Sequence, residues 1–149
     1  MAYHFKLETI LGLRRNFEEL AQQKLARELM TLEAHRQRLS VVRGEREALI
    51  GEFEEKKRGL LPSALFVFYM EAIAGKEREI VTVAALVESQ RLEVVKAREA
   101  LAARVKEKKV MEKVRERDFQ KYMQERLKKE QKEADEQMVL RFGRHGKVF

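Results

Sequence analysis

Lys56 to Ala64 reads KKRGLLPSA, and this short stretch decides the fold. Gly59 is a helix-stop residue, Pro62 suits the first turn of a new helix, and Ser63 can cap one. Pro62 is the chain's one proline. On either side the sequence runs long without a breaker, which predicts one helix from about 7 to 58, a turn at 59–63 and a second helix from 63 to about 141. The tail, 142–149, reads as a frayed end. A short connection makes two helices antiparallel neighbours. The predicted fold is therefore all-α, an antiparallel coiled-coil hairpin forming a single domain over 1–149, with the second helix longer and overhanging.

Composition agrees with a thin core. Of 149 residues 38% are charged and 44% hydrophobic, too apolar for a disordered polyelectrolyte but charged enough for long exposed helices. There is no cysteine, so neither a disulfide framework nor a thiolate metal site can form. The longest apolar run, ALFVFYM at 64–70, is far shorter than a membrane span, and the start carries no signal-peptide pattern. The expectation is a soluble intracellular protein without direct membrane insertion. A net charge of +7 draws the chain toward anionic partners. Its cations alternate with acids, as in KEKK and ERLKKEQKE, and lack the unbroken basic run of a zipper-type DNA reader; nucleic acid is not the expected partner.

Heptad spacing traces the seam. Phe66, Ile73, Ile80, Val87, Val94 and Leu101 recur every seven residues in the second helix, with Tyr69, Val83 and Ala97 three positions on. Leu25, Leu32, Leu39 and Phe53 hold a seven-residue frame in the first, with Val42 and Leu49 between them. Nearer the start, Ile10, Leu13, Phe17 and Leu20 follow a frame displaced by one, which predicts a change of winding near Lys24. A turn centred near residue 60 makes the numbers of facing residues add to about 121, placing Leu7 near Val114. Beyond that point the second helix has no partner for about 40 Å. There Phe119, Tyr122, Met123, Leu127, Met138, Val139 and Phe142 form a broken apolar stripe.

No residues assemble into chemistry. His4, His35 and His145 lie far apart without a second ligand at one-turn spacing, and the tail GRHGKVF lacks the strand and helix that make a phosphate loop. No catalytic, cofactor or metal site is expected. Gly44 and Gly75 should share one level of the hairpin with Arg46 and Lys76, which reads either as a softened, bendable segment or as a close approach of two helices. At the tip, Leu65, Val67 and Phe68 should close over Leu49, Phe53, Leu60 and Leu61, with a docking patch as the alternative.

FKLETILGLR at Phe5–Arg14, EKVRER at Glu112–Arg117, Tyr122, EQKEADE at Glu130–Glu136 and the pair Arg141-Phe142 resemble the flagellar export protein family FliJ. Ala134 departs from the family's larger apolar residue, and the tail after Phe142 follows no family pattern. The resemblance implies a non-enzymatic stalk of the type III export apparatus, required for flagellum assembly and motility. It would be peripheral at the cytoplasmic side of the cell membrane. Implied partners are a hexameric flagellar export ATPase, an export-gate membrane protein and escort chaperones of late flagellar substrates; no cofactor is implied. Carried onto this chain, the ATPase contacts are Phe5, Leu7, Leu13, Arg117, Tyr122, Gln131, Asp135 and Phe142. The gate contacts are Leu39, Val42, Leu49, Tyr69 and Ile73. The alternatives are an injectisome stalk or a nucleic-acid-binding coiled coil.

Overall fold

The computed structural model describes residues 2–146 and contains two helices, α1 (Glu8–Lys57) and α2 (Ser63–Gly146). α1 opens with Glu8, whose amide bonds back to the Phe5 carbonyl at 3.1 Å, and closes with Lys56 and Lys57. An acid at the start and cations at the end both oppose the helix dipole. The last turn tightens through Arg58 N–H to Glu55 C=O and Gly59 N–H to Lys56 C=O, both 3.3 Å. No glycine takes a left-handed conformation, so Gly59 ends α1 without that kind of cap. α2 starts where the proline predicts: the Pro62 carbonyl accepts the Phe66 amide at 3.0 Å, the first bond of the new ladder. At its far end α2 continues past Arg141 to Gly146, so helix replaces the expected frayed tail over 142–146; 147–149 lie outside the described residues.

Packing divides the chain into two units, Met1–Glu18 with Arg104–Phe149, and Glu19–Ala103, each pairing part of α1 with part of α2. In the second unit Leu32, Leu39, Val42, Phe53, Tyr69, Val83, Val94 and Ala97 are buried, while Leu25, Leu49, Ile73, Ile80 and Val87 are half-buried. These are residues that heptad spacing selects; Phe66, also selected, is 42% exposed although its ring meets Phe53. The facing numbers also agree: Glu45 pairs with Lys76, and Arg14 faces Glu107 at 3.8 Å in the other unit, each pair adding to 121.

The winding expectation near Lys24 fails. Leu11 is completely buried at 0% exposure, whereas Ile10, Leu13 and Leu20 face outward. Positions 11, 18, 25, 32, 39, 46 and 53 form one unbroken seven-residue frame in α1. Two of its members are polar. Glu18 meets Lys108 at 2.6 Å, with side chains only 13% and 22% exposed, and Arg46 meets Glu77 at 3.1 Å. An ion pair occupies the seam where a hydrophobic count expects Leu, and the outward Ile10–Leu20 stripe supplies a false alternative.

At the level of Gly44 and Gly75 each cation meets an acidic partner: Glu77 holds Arg46, and Glu45 and Glu79 hold Lys76. A Cβ on Gly44 would meet nothing within 4 Å, and one on Gly75 only the Arg78 side chain at 3.7 Å. The glycines therefore do not mark a close approach of the helices. The tip closes over itself only in part: Phe66 and Tyr69 stack on Phe53 with centroids 5.4 Å apart and Leu61 and Leu65 are half-buried, but Leu60, Val67, Phe68 and Met70 stay exposed.

Candidate partner-docking surface

The terminal unit is built around Phe5, Leu11 and Met111, a buried cluster against which Tyr3 packs. Residues 2–5 are not helical, and through Phe5 against Met111 and Tyr3 against Phe119 the chain before α1 packs on α2 and extends the pairing beyond the first turn of α1. Tyr3 makes an edge-to-face contact with Phe119 (centroids 5.0 Å, planes at 80°) and a tilted one with Tyr122 (5.3 Å). Such pairs contribute roughly 0.5–1.5 kcal/mol beyond area burial. The Tyr3 hydroxyl lies 3.0 Å from Asp118 Oδ2 and 3.3 Å from the Arg115 carbonyl, either of which it can donate to. Burial, and then the Asp118 carboxylate, push this phenol above its ordinary pKa, so it stays protonated.

Ion pairs flank the cluster. Arg115 meets Glu8 at 3.3 Å, Arg15 faces Glu112 at 3.9 Å, and the Arg104 guanidinium stacks 4.6 Å from the Phe17 ring. Among the residues whose burial is described, Tyr122 is the last half-buried one of α2; every residue from Met123 to Gly143 is exposed. The bare extension therefore starts after Tyr122 and not at Val114, because Tyr3 contacts Arg115, Asp118, Phe119 and Tyr122 on the intervening turns. Leu127, Met138, Val139, Leu140 and Phe142 are each more than half exposed. Along this extension charges pair within the helix, as Arg126 does with Glu130 at 3.3 Å.

The expected ATPase-contact residues separate into three groups. Leu7, Leu13, Arg117, Gln131, Asp135 and Phe142 are exposed and open to a partner. Tyr122 is half-buried beside Tyr3. Phe5 is 4% exposed, so it anchors the N-terminal segment and offers no contact surface of its own. The expected gate residues come together, but inward: Leu39, Val42 and Tyr69 are buried and Leu49 and Ile73 half-buried, all in the seam of the second unit. What that level offers a partner is its outer flank, for example Val41.

Sequence reasoning missed Tyr3, Leu11 and Leu140. The first had a signal, since Tyr3 and Phe5 alternate as residues on one side of an extended segment do. His4 is exposed and His35 half-buried, and the His145 side chain lies outside the described residues. Among the described residues no three His, Cys, Asp or Glu side chains gather as a metal site, and no helix is long and apolar enough to cross a membrane.

Two packed helices, with their exposed residues spread along helical flanks and a bare extension, define an all-helical hairpin protein. The chain belongs to the family described as "Flagellar FliJ protein", whose model matches residues 3–147. Its fold is similar to the solved structure of CT670 from Chlamydia trachomatis, described as a YscO homolog. The likeness has a TM-score of 0.77 at 19% identity, covering 98% of this chain and 99% of that one. Comparison with curated proteins gave no match.

Proposed function

We propose that this chain is a non-enzymatic stalk of a flagellar type III export apparatus. Its terminal unit enters the ring of the hexameric export ATPase, its second unit meets the export-gate membrane protein, and it receives escort chaperones of late flagellar substrates. Its place is the cytoplasmic side of the cell membrane at the flagellar base. The observation that carries this reading is the bare extension of α2, exposed from Met123 to Gly143. These 21 residues extend about 30 Å at 1.5 Å per residue, enough to reach into a ring.

The chemistry of the extension suits contacts that must be exchanged. Exposed ion pairs are worth about 0–1 kcal/mol each, and an apolar side chain about 1.5–3 kcal/mol if fully buried. Spaced as Leu127, Met138, Val139, Leu140 and Phe142 are, they let one ring subunit bind modestly and release to the next. The family match and the sequence motifs at both ends support the flagellar assignment. An injectisome stalk is the second reading, motivated by the fold shared with the YscO homolog.

The test is ATP turnover by purified flagellar and injectisome export ATPases with the full chain added. Stimulation of the flagellar enzyme is expected. Stimulation of the injectisome enzyme alone selects the second reading. No stimulation, together with DNA binding that weakens steeply with salt, would overturn both.

A further inference from the structure

The hairpin tip has chemistry that a ring-docking stalk does not need. From Gly59 to Met70 twelve consecutive residues carry no charge, bounded by Lys56, Lys57 and Arg58 on one side and Glu71 on the other. Leu60 is fully exposed, and Phe66, Val67, Phe68 and Met70 are each at least 42% exposed. At 3.6 residues per turn these four α2 side chains spread over about 200° of the helix. A helix that docks in a protein groove presents a narrower stripe at i, i+3, i+4 and i+7. Apolar exposure over so wide an arc fits a medium that surrounds the tip.

Depth and charge fit the same medium. Leu65 to Met70 rise about 9 Å, against the 5–10 Å to which interfacial helices bury their apolar side in a bilayer. The cations sit at the end of α1, adjoining the uncharged segment. Lys57 lies 4.0 Å over the Phe53 ring and 3.4 Å from Glu54, and Arg58 lies 3.3 Å from Glu55. These are exposed i,i+3 pairs, weak enough to be exchanged for lipid phosphates.

We propose that the tip of the hairpin, Leu60 with Phe66, Val67, Phe68 and Met70 and the cations Lys56, Lys57 and Arg58, seats in the surface of a bilayer containing anionic lipid, without spanning it. This revises the expectation of no membrane insertion and stands independently of the ATPase contact.

The test is flotation of the full chain with phosphatidylcholine vesicles, with and without phosphatidylglycerol, alongside circular dichroism of each variant. Wild type floats with the anionic vesicles and less well at high salt. V67S/F68S, which changes two exposed residues and removes the Phe68–Tyr69 ring contact, loses at least tenfold in affinity while keeping its helix content. K56E loses more than fivefold, and K24E, an equal charge change far from the tip, loses less than twofold. The chain has no tryptophan, so F68W reports its own surroundings, and its emission shifts to the blue when vesicles are added. Flotation equal in V67S/F68S and wild type, or no emission shift in a F68W chain that floats, would overturn the proposal. So would absence of flotation with a tip-dependent dimer, which would make a second copy the occupant.

Discussion

The second unit and the extension of α2 are built from the same residue types and use them in opposite ways. Between Glu19 and Ala103, charges cross from helix to helix: Arg38 pairs with Glu79, Arg46 with Glu77 and Lys76 with Glu45, around buried Leu39, Val42 and Tyr69. Beyond Tyr122, Arg126 pairs with Glu130 on its own helix, and Leu127 and Leu140 face outward. Composition alone does not separate a seam from a contact surface. What separates them is whether a second segment is in register to receive the apolar residues, and the chain before α1 reaches only as far as Tyr122.

That contrast is sharpest for a charge placed in each region. Val42→Asp buries an unpaired carboxylate at a fully buried position and should cost on the order of 3 kcal/mol, read as a large fall in thermal midpoint by circular dichroism. Leu140→Asp should change stability by less than about 0.5 kcal/mol. Comparable losses from both would mean that the extension is packed in solution.

Helix stiffness gives the next largest effect. Gly44→Ala and Gly75→Ala meet no steric obstacle, so together they should add about 2 kcal/mol, from about 1 kcal/mol for each glycine. If a bendable segment matters, the double variant also binds its partners differently; unchanged binding removes that idea. At the anchor, Tyr3→Phe keeps the ring contacts and loses the hydroxyl bond, costing about 1 kcal/mol. Its effect should appear as faster hydrogen exchange confined to residues 2–8.

The smallest effect is on pH. Arg38, chiefly through its hydrogen bond, holds the Glu79 pKa below the usual carboxylate range. Its contribution is present above that range and is lost as pH falls through the lowered value. The Glu45 carboxylate, by its hydrogen bond, raises the Lys76 pKa, so that contribution persists at neutral pH and is lost only as pH rises through the raised value. Stability of the second unit should therefore be flat around neutrality and decline first in acid. Arg38→Gln should flatten the acid limb, while a substitution in the extension such as Glu130→Gln should leave it unchanged.

Much of this contrast was legible in the sequence. The KKRGLLPSA turn, both helices and the facing register follow from one proline and a seven-residue repeat. The frame through Leu11 was hidden because Glu18, in the seam with Lys108, interrupts the apolar count while Ile10, Leu13 and Leu20 supply a plausible substitute. The five residues taken as gate contacts show a general limit: apolar residues in a coiled-coil repeat read alike whether they serve the partner helix or another protein. The tip was open to misreading for a related reason, since sequence gives its apolar residues but not whether they can fold back on Phe53.

In the proposed function the exposed apolar residues of α2 beyond Tyr122 are the ATPase-docking surface. The direct measurement is a titration of export-ATPase turnover with wild type and with Leu127→Ser/Leu140→Ser/Phe142→Ser. Unchanged helix content and thermal midpoint are expected for the triple variant, with stimulation reduced at least tenfold in apparent affinity. Full stimulation at the wild-type concentration would contradict it.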